Sequence, residues 1–344
     1  MIPSPLRLRL DGAALVRNWQ TLDRMSGAAA AGAAIKADGY GTGARDVAAR
    51  LARAGCRDFF VATWREALAL ADLGVSVSVL HGVRAADMAA DAPAHLRPVL
   101  NSAEQVKRWR AAGGGACDVM VDTGMNRLGI APQEVAEGLL EGLHVETLLS
   151  HLASADEDSA LNERQRTAFA ALAGKTPAKR MSLANSAGIA LGADYAFDLT
   201  RPGIALYGGV PRPEFAGRIA QMAFPEAQIL QRRTLRAGDA IGYNATFTAT
   251  ADMEVAILNI GYADGYLRCH SGKGAARVGD AVLPVLGRVS MDLTAIGVDA
   301  AADLREGDWV TLDYALPATA AASGLSQYEL LTGLGSRFER VWQD

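Results

Sequence analysis

Through the first two thirds of the chain, short apolar runs alternate with segments of helical period. The apolar runs end near Lys36, Thr63 ("DFFVAT"), His81 ("VSVLH"), Leu100 ("RPVL"), Asp122 ("CDVMVD"), His151 ("VETLLSH"), Asn185 ("RMSLAN") and Arg201 ("FDLTR"). Between them lie helix-like stretches such as "TWREALALADLG" and "SAEQVKRWRAAG". These put Thr63 and Ser102 at N-caps, each with a glutamate close behind. Eight strand–helix units predict a (β/α)8, TIM-like barrel of the α/β class. A doubly wound sheet is the competing topology, and strand count does not exclude it.

Near Phe224–Pro225 the texture changes. Residues 226–313 show period-2 strands separated by Gly and Asp turns, and helical period returns only at "LSQYELLTGL". The expected organisation is a barrel over residues 1–225 and a mostly β domain over 226–344. The opening "LRLRL" also alternates, which suits pairing of residues 1–10 with the second domain rather than with the barrel.

Composition narrows the function classes. Half of the 344 residues are hydrophobic, enough for a sizeable core, and the net charge of −4 comes without a basic stripe or tail. Nucleic acid is not an expected partner. Cys56, Cys117 and Cys269 are odd in number, far apart and form no CxxC, as in a reducing compartment. The five histidines show no metal-ligand spacing. No signal peptide or membrane span is visible, so the expectation is a soluble, cytoplasmic protein without bound metal.

The chemistry begins with "AAIKADGYG", residues 33–41. Active-site residues of such barrels come from the C-terminal strand ends, where Lys36 falls. A lysine in a partly dry mouth has a depressed pKa and can condense with a carbonyl. Alone, Lys36 is more simply a solvated strand-end lysine. "TRPGIALYG" (200–208) shifts the balance: after Arg201 and Pro202, the Gly203 and Ile204 amides could form an anion cradle. "LANSAG" (183–188) adds the Ser186 hydroxyl. Two small-residue turns after strands seven and eight, together with Lys36, point to a phosphorylated aldehyde, pyridoxal phosphate.

At this point the chain resembles the alanine racemases. The resemblance rests on "IKADGYGTG", "VDTGMNRLG", "SHLASADE", "ANSAG", "RPGIALYG", "IGYNATF", "GYADGY", "GRVSMD" and "YELLTGLGSRFER", in the family's order and over nearly the whole chain. It implies a fold-type III pyridoxal-phosphate enzyme, a head-to-tail homodimer with shared active sites that exchanges the alanine enantiomers and supplies D-alanine for peptidoglycan. By motif, Lys36 would hold the cofactor covalently, and Tyr243, reaching in from the partner subunit, would be the opposing base. Arg201 would face the pyridine nitrogen. Tyr40, Ser186, Gly203, Ile204 and Tyr328 would hold the phosphate. His151 would lie near the ring, and Arg127 beside the cofactor's phenolic oxygen. Tyr262 and Met291 would border the substrate's path, with the Met291 amide near the substrate carboxylate.

Two positions depart from the family pattern. Met120 stands where many members have a lysine that steadies the arginine of the DTGM motif. Ser182 stands where many have a histidine beside the pyridine-facing arginine. Out of context, His151 is better explained by a satisfied barrel histidine, and Tyr262 and Tyr328 could be core or interface tyrosines and Met291 gap-filling core. Other functions considered are a broad-specificity amino-acid racemase acting on serine or larger side chains, a non-catalytic pyridoxal-phosphate binding protein, and a decarboxylase of the same fold. "IGYNATF" and the second domain argue against the binding protein, and Arg201 against the decarboxylase.

Overall fold

The computed structural model describes residues 3–89 and 91–344. It contains two compact units, one of Ala14–Ala220 and one of the chain up to Ala13 together with Gln221–Asp344. Of the segment 1–10 expected to join the β domain, residues 1 and 2 lie outside the described residues.

In the unit Ala14–Ala220, seven parallel strands follow one another in chain order. They are Ala33–Ala34, Asp58–Val61, Ser76–Val79, Leu96–Leu100, Cys117–Met120, Val145–Leu149 and Arg180–Ser182. An eighth, Leu199–Thr200, pairs in parallel with Ala30–Ala31, one residue ahead of the first. Gly32 joins those two pieces. Its amide donates to the Thr200 carbonyl at 2.9 Å, and a Cβ there would lie 2.7 Å from the Asp58 carbonyl oxygen, so no side chain fits between the two pairings. On the other flank the Arg201 amide donates to the Ala184 carbonyl at 2.8 Å. The ring closes into the expected (β/α)8 barrel. Its strands are buried on both faces, as parallel strands covered by helices are; all four residues of Asp58–Val61 are buried, with Asp58 paired to Arg180 at 2.7 Å. The observed strands stop at or just before the expected ends. Lys36, Asp122, His151 and Arg201 therefore stand at the C-terminal mouth.

The caps form as the sequence predicts. Thr63 accepts the Glu66 amide in a reciprocal capping box, and Ser102 accepts the Gln105 amide. The first of these helices is short, Trp64–Leu68, because Leu70 leaves the helical path and a separate 3-10 turn, Ala71–Leu73, follows.

In the other unit six antiparallel strands close on themselves. Ala223–Leu235 pairs with both Met253–Leu258 and Trp309–Leu312, and Thr294–Gly297, Ala281–Leu286 and Ala275–Val278 complete the ring. Leu6–Asp11 adds to Ala223–Leu235 in antiparallel register, Leu8 opposite Pro225, and Glu339–Gln343 adds to Leu6–Asp11 in parallel. The β unit thus starts at Gln221, not at 226. The reason is that Ala223, Phe224 and Pro225 are already paired residues of its longest strand. No helix among the described residues is long and apolar enough to cross a membrane.

Candidate active site

Lys36 lies two residues past the last residue of the first barrel strand, Ala34, and opens a turn of unusual hand. Ala37, Asp38, Gly39 and Tyr40 all have φ between 53° and 62°. Left-handed backbone costs a residue with a side chain roughly 1 kcal/mol or more, so the turn needs anchors. Asp38 Oδ1 accepts the Ala44 amide at 2.9 Å, and Glu66 Oε1 accepts the Ala37 amide at 2.7 Å. The Lys36 amine is held below the usual lysine range, first by burial and then by the charges of Arg127 and Arg201, with Glu66 acting in the opposite sense. A lysine of that kind is more often the free amine that a carbonyl requires.

Arg201 is buried, at 6% exposure, and its guanidinium is enclosed by acceptors. Nη1 donates to Ser182 Oγ at 2.5 Å; Nη2 donates to the Ser150 and Leu183 carbonyls at 2.5 and 3.3 Å. Ser182 Oγ in turn donates to the Leu199 carbonyl. Burial lowers the guanidinium to about 10, with the buried Asp118 carboxylate opposing, so Arg201 stays a cation at neutral pH.

Nη2 of Arg201 also lies 3.5 Å from His151 Nδ1. A guanidinium only donates, so Nδ1 is the acceptor and the ring proton belongs on Nε2. Burial, reinforced by Arg201, Arg127 and Lys36, pushes this imidazole down to about 3. Gln165, fully buried on the helix Ala160–Ala170, donates to the His151 carbonyl at 2.9 Å and accepts the Ala153 amide at 2.9 Å. Arg127 rides on a loop built by Asp122, whose Oδ1 accepts the Gly124, Met125 and Asn126 amides at 2.8, 2.9 and 3.1 Å. The guanidinium itself is exposed, and among the described residues it has no hydrogen-bond partner.

The turns after strands seven and eight interlock. Ser186 Oγ accepts the amides of Gly203 at 2.8 Å and Ala205 at 3.3 Å. The Gly203 amide is therefore turned onto Ser186 rather than left open as half of an anion cradle, because the hydroxyl lies within reach. The Ser186 hydroxyl hydrogen and the Ile204 amide are the remaining donors; among the described residues the latter has no backbone or side-chain acceptor. A Cβ on Gly203 would fall 2.3 Å from Tyr40 Oη, so the missing side chain is what lets that phenol in. Tyr40 stacks on the fully buried Tyr207 with ring centroids 4.7 Å apart, and Tyr207 Oη donates to the Ala34 carbonyl at 3.0 Å.

A hydroxyl, an amide and a phenol at one end, and an amine among cations at the other, form a donor set suited to a phosphorylated aldehyde. Two family comparisons cover this chain: the alanine racemase N-terminal domain matches residues 10–211 and the C-terminal domain residues 222–342. The chain belongs to the alanine racemase family. An alanine racemase of Acidiphilium cryptum is 41% identical over 349 residues, 97% of this chain and 98% of that protein. A biosynthetic alanine racemase of Agrobacterium fabrum is 39% identical over 367 residues, 98% of this chain and 94% of that protein. The crystal structure of the Bartonella henselae alanine racemase, with covalently bound pyridoxal phosphate, superimposes with a TM-score of 0.91. It shares 33% identity, over 99% of this chain and 100% of that one.

The family's second domain carries the remaining predicted residues. Tyr243 stands at 63% exposure on a tight turn, Tyr243–Ala245, between the paired strands Ala240–Ile241 and Phe247–Thr248. Tyr262 and Met291 are brought together by backbone: the Tyr262 amide donates to the Ser290 carbonyl and the Ala263 amide to the Met291 carbonyl, both at 3.0 Å. Gly261 permits this approach, since a Cβ there would meet both carbonyl oxygens at 2.4 Å. Arg337 ties the same region together, donating to Asp264 at 2.6 Å and Asp292 at 2.8 Å. Met291 and Tyr328, the latter on the helix Gln327–Thr332, are exposed.

Sequence reasoning passed over three residues of the barrel site. Glu66 was visible only as the acidic member of a capping box. Tyr207 lay inside "RPGIALYG" without being singled out. Gln165 gave no signal, because a glutamine on a helix acquires meaning only through what it packs against.

Proposed function

We propose that this enzyme interconverts L- and D-alanine with Lys36 and Tyr243 as bases on opposite faces of the substrate. The carrying observation is the convergence of Lys36, Arg127, His151 and Arg201 at one barrel mouth, with the amine of Lys36 poised below its ordinary range. When bound, pyridoxal phosphate supplies the electron sink that acidifies the Cα–H bond of an amino acid. Lys36 Nζ takes or returns the proton on one face, and Tyr243 Oη does so on the other, each matched to its turn by its proton affinity. Arg201, enclosed by acceptors and reluctant to release a proton, would sit against the pyridine nitrogen as a fixed cation. Ser186, Ile204, Tyr40 and Tyr328 would hold the phosphate, with Gly203 leaving room for the Tyr40 phenol. His151, neutral with its proton on Nε2, would lie beside the ring as a donor. Arg127 would meet the phenolic oxygen, and Tyr262 and Met291 would border the path of the amino acid.

In this reading the enzyme is a homodimer in which Tyr243 of one subunit serves the barrel of the other. Its exposure on a turn supports that role. The reaction would run in the cytoplasm and feed D-alanine to the cell wall.

The test is a chiral assay in deuterated water with purified protein, pyridoxal phosphate and single L-amino acids. D-alanine carrying deuterium at Cα is the expected product, with serine and lysine converted far more slowly. Absence of both D-product and exchange from every amino acid overturns the proposal. Lys36→Ala should lose covalent attachment, and Tyr243→Phe should keep the cofactor while losing racemisation; a Tyr243→Phe enzyme as fast as wild type sinks the two-base assignment.

A further inference from the structure

The left-handed turn behind Lys36 includes three residues with side chains, Ala37, Asp38 and Tyr40. Backbone of this kind persists only where its surroundings over-determine it. Asp38 fastens the far end through the Ala44 amide. The near end is fastened from a different element. Glu66 Oε1 accepts the Ala37 amide at 2.7 Å, while Oε2 accepts the Ala62 and Thr63 amides at 2.7 and 3.0 Å. To cap its own helix Glu66 needs only Thr63. The reach to Ala37 is additional, and it spans from the end of the second barrel strand to the residue next to Lys36.

We propose that Glu66 is a positioning residue for the Lys36 amine: its carboxylate clamps the backbone behind Lys36 to the neighbouring strand end and brings a negative charge to an amine that Arg127 and Arg201 also face. This rests on Lys36 being the cofactor lysine. The charged groups acting on that amine come from three elements. Arg127 comes from the loop after the fifth strand, Arg201 from the end of the eighth, and Glu66 from the helix after the second; His151, at the end of the sixth, is neutral. Burial and both arginines drive the amine toward its neutral form. Glu66 alone among them opposes this, so it moderates how far the amine is depressed while fixing where it points.

Two variants separate this role from helix capping. Glu66→Gln is nearly isosteric and removes the charge. Thr63→Ala removes the hydroxyl half of the same capping box and leaves the Ala37 contact in place. The chain has five lysines, Lys36, Lys107, Lys175, Lys179 and Lys273, so reductive 13C-methylation of the cofactor-free full chain gives each its own NMR titration. Lys36 should titrate at lower pH in Glu66→Gln than in wild type and unchanged in Thr63→Ala. An unchanged Lys36 titration in Glu66→Gln, or an equal displacement in both variants, overturns the proposal. In the pyridoxal-phosphate-loaded enzyme, Glu66→Gln should lower kcat about tenfold or more with little change in KM for L-alanine, the signature of misplacement rather than lost binding. A kcat equal to wild type likewise overturns it. Borohydride reduction of the loaded wild type followed by peptide mapping tests the underlying reading separately. A label on a lysine other than Lys36 sinks the cofactor-lysine assignment and leaves the NMR titration to stand or fall by itself.

Discussion

At the residue scale, the two departures from the family pattern have different outcomes. Ser182, fully buried, does the hydrogen bonding that a longer side chain would do: it accepts from Arg201 Nη1 and passes its own proton to the Leu199 carbonyl. Ser182→Ala leaves one nitrogen of a buried cation without an acceptor. The expected loss is about 1.5–3 kcal/mol of unfolding free energy, the range for hydrogen bonds to charged groups. Urea denaturation measures it, and an unchanged midpoint would show that Arg201 re-pairs elsewhere. Met120 has no such replacement. It is a buried apolar side chain, and Arg127 is left on its Asp122-built loop without a hydrogen bond among the described residues. His151 carries a pH prediction. Its folded pKa, about 3, lies below the ordinary 6.5, so the unfolded chain binds the proton more readily. The stability contribution is complete above pH 6.5 and is lost progressively as pH falls from there toward 3. His270, lowered by burial, adds in the same direction. The drop in urea midpoint between pH 7 and pH 5 should therefore shrink in His151→Gln.

At the scale of elements, the proposed phosphate end of the site depends on close approach. A Cβ on Gly203 would land on the Tyr40 phenol, 2.3 Å from its oxygen. Gly203→Ala should fold and should weaken pyridoxal phosphate binding by tenfold or more, since Tyr40 must swing away from its stack on Tyr207. Fluorescence titration of the cofactor-free variant checks this, and a Kd equal to wild type would remove Tyr40 from the phosphate site. The elements themselves were largely legible. Strand ends, the Thr63 and Ser102 caps and the small-residue turns follow from local pattern. What was not legible depends on distant partners. The split of the first strand at Gly32 comes from crowding by Asp58 and Thr200. The left-handed hand of Ala37–Tyr40 has no local signature beyond Gly39. The bracing by Gln165 exists only once its helix is packed.

At the scale of the molecule, the change of texture near residue 224 located the second unit, but its edge came out late. Ala223–Pro225 are apolar enough to suit either unit, and the strand that claims them pairs with Leu6–Asp11 far away in sequence. The shared active sites proposed above make a testable demand on the whole assembly. Lys36→Ala and Tyr243→Phe chains should each be inactive alone. Mixed and allowed to exchange subunits, they should regain racemase activity, because one site of each hybrid dimer pairs an intact lysine with an intact tyrosine. Continued inactivity after proven exchange would mean that the tyrosine serves its own chain.

The strand Leu6–Asp11 has a consequence in time. During synthesis it emerges well before its partners: 217 positions separate Arg9 from its ion-pair partner Glu226, and Glu339–Gln343 comes later still. Residues Ala14–Ala220 can close their ring while this strand waits, an alternating apolar ribbon with both edges unpaired. Arg7 and Arg9, interleaved with Leu6, Leu8 and Leu10, then act as gatekeepers that keep the nascent ribbon soluble. Once the sheet forms, the same two arginines clamp Glu226 and lie over the rings of Trp309 and Phe224. One pair of charges thus protects the strand on the ribosome and locks it in the finished fold.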